Sequence, residues 1–180
     1  MRIIAGKYKR TNLSTLEGEQ TRPTKDMVKE ALFDALQVNE GESFLDLFSG
    51  SGSIGIEAIS RGASLVIFND NNKKAVEIIE SNLEKIHEQA RVLNLDYKEC
   101  LFKLKNDSFD YIFIDPPYAF LEYDNVFNLI NEYNLLNDNG RIIVEVKKDT
   151  ELSDLYFNYV KYKEKKYGIS KLIFYKKEGV

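Results

Sequence analysis

The stretch that decides the fold is SFLDLFSGSGSIGIEAISRG, residues 43–62. Its opening, SFLDLF (43–48), is a short apolar run that predicts a β-strand. Its end, SIGIEAISRG (53–62), has apolar residues at helical spacing and stops on a glycine, which predicts a helix. Between them lies a G-x-G-x-x-G pattern beginning at Gly50, where bare backbone and a helix amino terminus can lie against a ligand. A tight turn with glycines that serve only helix packing is the alternative.

The same alternation of strand and helix patterns continues outward from this unit. A Rossmann-like α/β fold is therefore expected, with a seven-stranded, mostly parallel sheet that is covered on both faces. No helix pattern separates the last two strands, so the last strand is expected to be antiparallel. Residues 1–22 predict a short hairpin or arm ahead of a main domain at 23–180, in which Thr24 caps the first helix. Predicted strands are 43–48, 64–70, 90–96, 110–115, 140–146, 155–162 and 170–176; predicted helices are 24–37, 53–62, 71–87 and 122–133.

Composition excludes several classes of protein. The chain of 180 residues is long enough for one domain with a small extension. Its single cysteine and single histidine argue against a disulfide framework and against a metal site. No apolar run approaches the roughly 20 residues of a membrane helix, and the first ten residues do not resemble a signal peptide. A cytoplasmic protein with no membrane association is expected.

Charge is distributed unevenly. The formal net charge is −4, yet residues 1–10 carry four basic side chains and no acidic one, and residues 161–177 carry seven lysines and one glutamate. Such patches can meet phosphate groups, or they can be ordinary solvated faces. The first patch consists of Arg2, Lys7, Lys9 and Arg10.

Two acidic residues narrow the ligand of the glycine loop. Asp70 ends the second strand, where a carboxylate can accept both ribose hydroxyls of a nucleoside or can cap the next helix. Both a dinucleotide and S-adenosylmethionine contain such a nucleoside. Asp46 precedes the loop and would repel a pyrophosphate, whereas it would attract a cationic sulfonium and ammonium. The pattern therefore favours S-adenosylmethionine.

A second motif, YIFIDPPYAF (111–120), suggests the acceptor. Asp115 ends a buried strand, and Pro116 and Pro117 stiffen the exit. The Asp115 carboxylate and the Pro116 carbonyl can accept the two N–H bonds of an exocyclic base amine, while the Tyr118 ring offers a stacking face. The pattern thus predicts methylation of a base amine; a simple strand-ending turn is the alternative.

Together these motifs resemble a known family. The loop D-x-F-x-G-S-G-x-x-G-x-E, the later DPPY, and the segments MRIIAGKYKR, RPTKDMVKEALF and KKYGISKLIFY are similar to bacterial 16S ribosomal RNA guanine-N2 methyltransferases of the type that modifies guanine 966 of the RNA. The resemblance implies a class I S-adenosylmethionine-dependent methyltransferase. It also implies 16S rRNA, in the small ribosomal subunit or an assembly intermediate, as the partner. A monomer is the default expectation. An adenine-N6 methyltransferase and a non-catalytic RNA-binding or assembly protein are the alternatives.

The resemblance also implies roles for individual residues. The catalytic group is the run from Asp115 to Tyr118, and the RNA-binding group is the basic patch from Arg2 to Arg10. Family members usually have Glu-x-Asp at the end of the second strand, with the Glu on the ribose. Here the Glu position is Phe68, which cannot accept a hydrogen bond, so either Asp70 replaces it or cofactor affinity is reduced. The implied cofactor-binding residues are Arg22, Thr24, Asp46, Phe48, Gly50, Ser51, Gly52, Asp70, Asn71, Asp96 and Tyr97.

Overall fold

The protein is a single mixed sheet with helices on both faces. The structure, a computed structural model, describes residues 1–17 and 23–179, without the side chains of residues 23 and 24. The strand order within these residues is β3-β2-β1-β4-β5-β8-β7-β6. The elements are α1 (Pro23–Leu36), β1 (Ser43–Asp46), α2 (Ser53–Arg61), β2 (Leu65–Asn69), α3 (Lys73–Lys85), β3 (Arg91–Leu93), α4 (Tyr97–Lys103), β4 (Phe109–Ile114), α5 (Tyr123–Glu132), β5 (Leu136–Lys147), β6 (Leu155–Tyr156), β7 (Tyr159–Tyr167) and β8 (Ser170–Lys177).

Side chains alternate across the strands and form a hydrophobic core on each face of the sheet. On one face, α4 and α5 contribute residues such as Leu101 and Phe127. On the other, α1, α2 and α3 contribute residues such as Phe33, Ile56 and Ile79. None of the helices within residues 1–17 and 23–179 combines the length and the hydropathy that a membrane-spanning helix needs.

The sheet confirms the predicted class and adds details that the sequence patterns missed. Strands β1 to β5 are parallel to one another, and β8 pairs antiparallel with β5. The described residues hold eight strands instead of seven, because a turn at Phe157 (φ 55°) and Asn158 splits the predicted strand 155–162 into β6 and β7. Helix α4 was not predicted; it has fewer than two turns, and its apolar positions were too few to stand out as a period.

The boundaries of the other helices and strands lie within a few residues of the predicted ones. Helix α1 begins at Pro23, one residue before the predicted cap, and the side chain of Thr24 lies outside the described residues. Arg22 also lies outside them. Strand β5 begins four residues before the predicted strand, with an irregularity in its pairing with β4.

The first residues form a hairpin that packs on α2. Backbone N–H groups of Ile3 and Leu13 donate to Thr11 and Met1 across the hairpin, and both side chains are buried. Glu57, in the middle of α2, accepts from two backbone N–H groups of the hairpin at 2.8 and 3.0 Å. The Ser60 hydroxyl donates to the Ala5 carbonyl at 2.6 Å. The arm is therefore attached along its length to the helix that follows the glycine loop. The division of the chain at residue 22 stays a prediction.

Gly6 provides a test of this attachment. Its φ is +80°, and a Cβ built there would lie 1.7 Å from the carbonyl oxygen of Ser60. We expect Gly6→Ala to lower the free energy of unfolding by about 3 kcal/mol or more, since backbone strain and overpacking add. Gly41→Ala is the matched control, because Gly41 has φ +93° and nothing within 4 Å; it should lose only about 1 kcal/mol. Urea unfolding measures both, and equal losses would contradict close packing at Gly6.

Candidate active site

The three glycines of the loop have different roles. Gly50 and Gly52 have φ of 53° and 77°, a left-handed conformation that suits glycine. Gly52 is also the residue before α2 and makes no side-chain cap, although Asp46 accepts from the Gly55 N–H in the first turn of the helix. Gly55 serves packing, because a Cβ there would lie 2.2 Å from the ring of Phe68.

Asp46 lies beneath this loop and is 1% exposed. Its Oδ2 accepts from the Gly55 N–H at 3.0 Å, while its Oδ1 has no hydrogen-bond partner among the described residues. Burial raises the pKa of Asp46 to about 7, and the charge of Asp70 adds to the rise. A buried oxygen without a donor is costly, so this position suits a ligand that brings a cationic N–H group.

Asn69, at the end of β2, has a second buried side-chain oxygen without a donor among the described residues. Its Nδ2 donates to the carbonyls of Leu47 and Leu95, both at 3.1 Å, and so links the exits of β1 and β3. Its Oδ1 has no partner among the described residues. The sequence motifs did not indicate Asn69, although its place beside Asp70 at a strand end was a usable signal.

Asp70 is held against the glycine loop. Its two carboxylate oxygens accept from the backbone N–H groups of Gly50 and Asn72, each at 2.9 Å. Asn72 in turn caps α3 by accepting from the Lys74 N–H at 3.0 Å. Asp70 thus keeps the loop closed on the end of β2 and brings a carboxylate to the sheet edge.

The position assigned to the family's glutamate needs correction. Phe68 is fully buried, and its ring packs beneath Gly55 on the α2 face of the sheet. A side chain at position 68 points into that core and not toward the sheet edge. Asp70 and Asn72 have the same two-residue spacing, and Asn72 is the helix cap, so we infer that the Glu-x-Asp pattern corresponds to these two residues. In this correspondence Asp70, and not Phe68, takes the place of the family's glutamate.

Three of the implied cofactor-binding residues, Phe48, Asp96 and Tyr97, are differently exposed. The rings of Phe48 and Tyr97 are 5.9 Å apart, and Phe120 packs edge-on against both. Tyr97 is 4% exposed, and its hydroxyl hydrogen bonds with Glu122 at 2.7 Å. Asp96 is exposed and caps α4 by accepting from the Lys98 N–H at 2.9 Å.

Two further residues predicted to bind the cofactor, Ser51 and Asn71, have different surroundings. Ser51 is buried in the loop, and its carbonyl accepts from the Asn82 side chain of α3 at 3.1 Å. The Asn82 side chain also donates to the carbonyl of Ser14, so it joins the loop to the arm. Asn71 is exposed beyond β2. Within the part of the chain that the structure describes, no group of three or more His, Cys, Asp or Glu side chains is arranged for a metal.

The Asp-Pro-Pro-Tyr segment leaves β4 beside the loop. Strands β1 and β4 are adjacent, and Asp46 is in register with Phe113, two residues before Asp115. Pro116 is buried and Asp115 is exposed. The Phe120 N–H donates to the Pro117 carbonyl at 2.8 Å, which closes a turn after the prolines. The sheet edge therefore carries Asp70, Asp46 and Asp115 in the order of β2, β1 and β4.

A cavity of about 300 Å³ opens at this segment. Asp115, Pro116 and Tyr118 line one side of it, and residues of β5 line another. Tyr118 is 67% exposed, and the Lys147 ammonium lies 4.7 Å from the centre of its ring. A planar ligand on that ring face would have to take the place of Lys147. Neither Lys147 nor its neighbour Glu145 was predicted, although alternation in RIIVEVK placed both on the polar side of β5.

None of the four basic residues of the arm lines this cavity. The ammonium of Lys7 pairs with Glu88 beyond the end of α3, at 3.2 Å, and Arg2 pairs with Asp26 of α1 at 3.5 Å. Lys9 and Arg10 are exposed, and neither forms an ion pair with the described residues. Because the arm contacts the last turn of α2, its tip is roughly 12 Å from the loop.

Comparisons with known proteins identify the family. The family described as "Conserved hypothetical protein 95" matches residues 1–176. The chain belongs to this family. A relative from Haemophilus influenzae named "Ribosomal RNA small subunit methyltransferase D" is 39% identical over 175 residues, which cover 94% of this chain and 90% of the relative.

Solved structures agree with this assignment. A putative methyltransferase from Escherichia coli, yhhF, is 30% identical with a TM-score of 0.88, covering 100% of this chain and 99% of that one. A Thermus thermophilus 16S rRNA N2 G1207 methyltransferase, solved with AdoMet and guanosine, shares the fold at 21% identity, with a TM-score of 0.71 over 91% of this chain and 45% of that one. The predicted fold class and the predicted family resemblance are therefore confirmed.

Proposed function

We propose that this protein transfers the methyl group of S-adenosylmethionine to the exocyclic N2 amine of a guanine in 16S ribosomal RNA. The observation that carries the proposal is the Asp115–Tyr118 segment, which leaves β4 beside the glycine loop and lines a cavity. A base amine at Asp115 and a methyl donor above the loop would then meet at one sheet edge. Membership of the family supports ribosomal RNA as the substrate class.

The cofactor fits the residues around the loop. The Asp46 oxygen that has no partner among the described residues suits the ammonium of the methionine portion, and the N–H groups that begin α2, ahead of the Gly55 N–H held by Asp46, suit its carboxylate. Asp70 holds the ribose hydroxyls, and the cluster of Phe48 and Tyr97, with Asp96 beside it, borders the adenine. When bound, this cofactor supplies a methyl group already activated on a positively charged sulfur.

The chain's own residues then act on the base. The Asp115 carboxylate and the Pro116 carbonyl accept the two N–H bonds of the amine, which turns its delocalised lone pair toward the methyl group. As the C–N bond forms, positive charge develops on nitrogen, and these two acceptors stabilise it. The methyl–sulfur bond would break as the C–N bond forms, and one N–H proton would pass along its hydrogen bond to the Asp115 carboxylate. Tyr118 stacks on the ring once Lys147 has moved from that face.

The RNA must present an extruded base. Moving a base out of its stack costs a few kcal/mol, and less where it is already unpaired, as in ribosomal loops. Arg2, Lys7, Lys9 and Arg10 contact phosphates in this proposal, with the substrate held in the small subunit or in an assembly intermediate. The protein acts as a cytoplasmic monomer.

Charge removal on the arm tests its role. We expect the triple change of Lys7, Lys9 and Arg10 to alanine to weaken RNA binding and to lower the slope of log affinity against log salt by about 2 to 3. A matched control changes Lys73, Lys74 and Lys103 to alanine on α3 and α4. Fluorescence anisotropy at several salt concentrations measures both variants. An unchanged slope in the arm variant would assign the patch to ordinary solvated surface.

The proposed reaction itself is tested by mapping the product. Labelled S-adenosylmethionine is offered with small-subunit RNA, alone and with ribosomal proteins, and the modified nucleotide is identified by mass spectrometry. N2-methylguanine at a single position is the expected product. Methyladenine would show an adenine-N6 enzyme, and the absence of any transfer with bound RNA would support a binding protein.

A further inference from the structure

Glu145 occupies the position next to Asp115 on the neighbouring strand. Ile114 of β4 is in register with Val144 of β5, so the next pair along the sheet edge is Asp115 and Glu145. Both residues line the cavity that also contains Tyr118. Glu145 alternates with Val144 and Val146, which pack in the core on the α4 and α5 face, so its side chain lies on the α1 face of β5 together with Lys147, which also lines the cavity.

The carboxylate of Glu145 is held in place at a partly buried site. Burial raises its pKa, whereas a hydrogen bond with the Ser170 side chain and the charge of Lys25 on α1 oppose the rise. Ser170 itself is 9% exposed and belongs to β8. Partial burial of a carboxylate is unfavourable unless hydrogen-bond donors meet it. A cavity with a partly buried carboxylate beside Asp115 is suited to a ligand that has more than one N–H group.

Guanine presents such an edge. Its N1–H and the two N–H bonds of N2 lie side by side, so the edge needs three acceptors. Asp115 and the Pro116 carbonyl take the two N2 hydrogens, which leaves the N1–H for the next acceptor along the edge. Adenine instead presents an unprotonated N1 beside its amine, and a carboxylate facing that nitrogen would be repelled.

The order of strands agrees with this arrangement. The glycine loop lies at β1 and β2, Asp115 at β4, and Glu145 at β5. The atom that receives the methyl group must face the loop, so N2 lies at Asp115, and N1 lies one atom further from the loop, toward β5. This reasoning rests on the proposed function.

We propose that Glu145 determines the choice of guanine by accepting the N1–H of the target base. It is a specificity-determining residue, whereas Asp115 acts on the amine that reacts. Glu151 lines the same cavity but pairs with the buried ammonium of Lys171 at 3.1 Å, so it has a partner in the protein. Glu151 therefore supplies a matched control carboxylate.

The experiment compares two bases that share the reacting amine. Small-subunit RNA ligated from two pieces carries either guanine or 2-aminopurine at the mapped position, under conditions in which the wild-type protein transfers methyl. 2-Aminopurine keeps the N2 amine but has an unprotonated N1. The wild-type protein should prefer guanine at least about 100-fold. Glu145→Gln should reduce the preference to within about tenfold, because its amide can donate to the unprotonated N1. Glu151→Gln should leave the preference unchanged.

Each outcome has a separate meaning. If the wild-type protein makes no N2-methylguanine, the proposed function fails and the inference fails with it. If it does, but methylates both bases at similar rates, the role of Glu145 is overturned while the function stands. This wild-type comparison holds even if Glu145→Gln does not fold. A folded Glu145→Gln that keeps the full preference would also overturn the role.

Discussion

Replacing Asp115 with alanine is expected to lower the rate of methyl transfer at least about 100-fold. The reason is that the variant loses the acceptor that orients the amine and stabilises the charge developing on its nitrogen. Asp115 is exposed at the end of β4, outside the core, so the fold and the glycine loop should persist. The dissociation constant of S-adenosylmethionine, measured by calorimetry, should change by less than about threefold, within ~0.7 kcal/mol.

Asp124→Ala is the matched control for this experiment. Asp124 is also exposed and lines the same cavity, but it lies in the first turn of α5 rather than at a strand end. Its replacement should leave the rate within about threefold of wild type. Retention by Asp115→Ala of more than about a tenth of the rate, equivalent to ~1.4 kcal/mol, would remove Asp115 from its assigned role.

Replacing Asp46 with asparagine should weaken the binding of S-adenosylmethionine and remove the pH dependence that Asp46 imparts. With its pKa raised to about 7, Asp46 must lose a proton to pair with the ammonium. Wild-type affinity should therefore fall by roughly tenfold for each pH unit below about 7. The variant has no charge to lose, so its affinity should be about 10- to 100-fold lower at pH 8 and nearly constant from pH 5 to 8. Calorimetry over this range measures both.

The same substitution should have the opposite effect on stability without cofactor. The pKa of Asp46 rises from 3.8 to about 7 on folding, so folding favours the protonated form. The contribution of Asp46 to the free energy of unfolding is full below about pH 4 and is lost as the pH rises through about 7. Asp46→Asn should therefore be more stable than wild type at pH 8, whereas Asp34→Asn, on the exposed side of α1, should match wild type. A variant less stable than wild type at pH 8 would contradict a destabilising buried carboxylate.

Local patterns were sufficient to predict the frame of the site. A strand, a glycine loop and a helix follow directly from the spacing of Gly50 and Gly52, because left-handed backbone at those positions excludes most other residues. Strand alternation and the two prolines likewise placed Asp115 at the carboxyl end of β4. These features depend on residues close in the chain, so the sequence reports them.

Features that depend on the direction of a side chain were harder to predict from the sequence. The family pattern places Phe68 at a ligand position, whereas its ring lies under Gly55. Only the packing of β2 against α2 shows the direction of that ring. The short helix α4 forms because Asp96 caps it and the core receives Leu101, although its period is too brief to detect. Prediction failed where packing between distant segments decided the direction of a side chain, and where an element was too short to show a period.

The sequence by itself determined that this chain would form a parallel sheet with a glycine loop after β1 and a stiff Asp-Pro-Pro-Tyr exit after β4. Only the tertiary structure decided that Asp70 closes the loop, that Lys147 covers the Tyr118 ring, and that Glu145 lies beside Asp115. Local backbone preferences depend on a few neighbouring residues, so they can be predicted from the sequence alone. The pairing of β4 with β5 joins residues about 30 positions apart, and that contact is fixed only when the whole sheet packs.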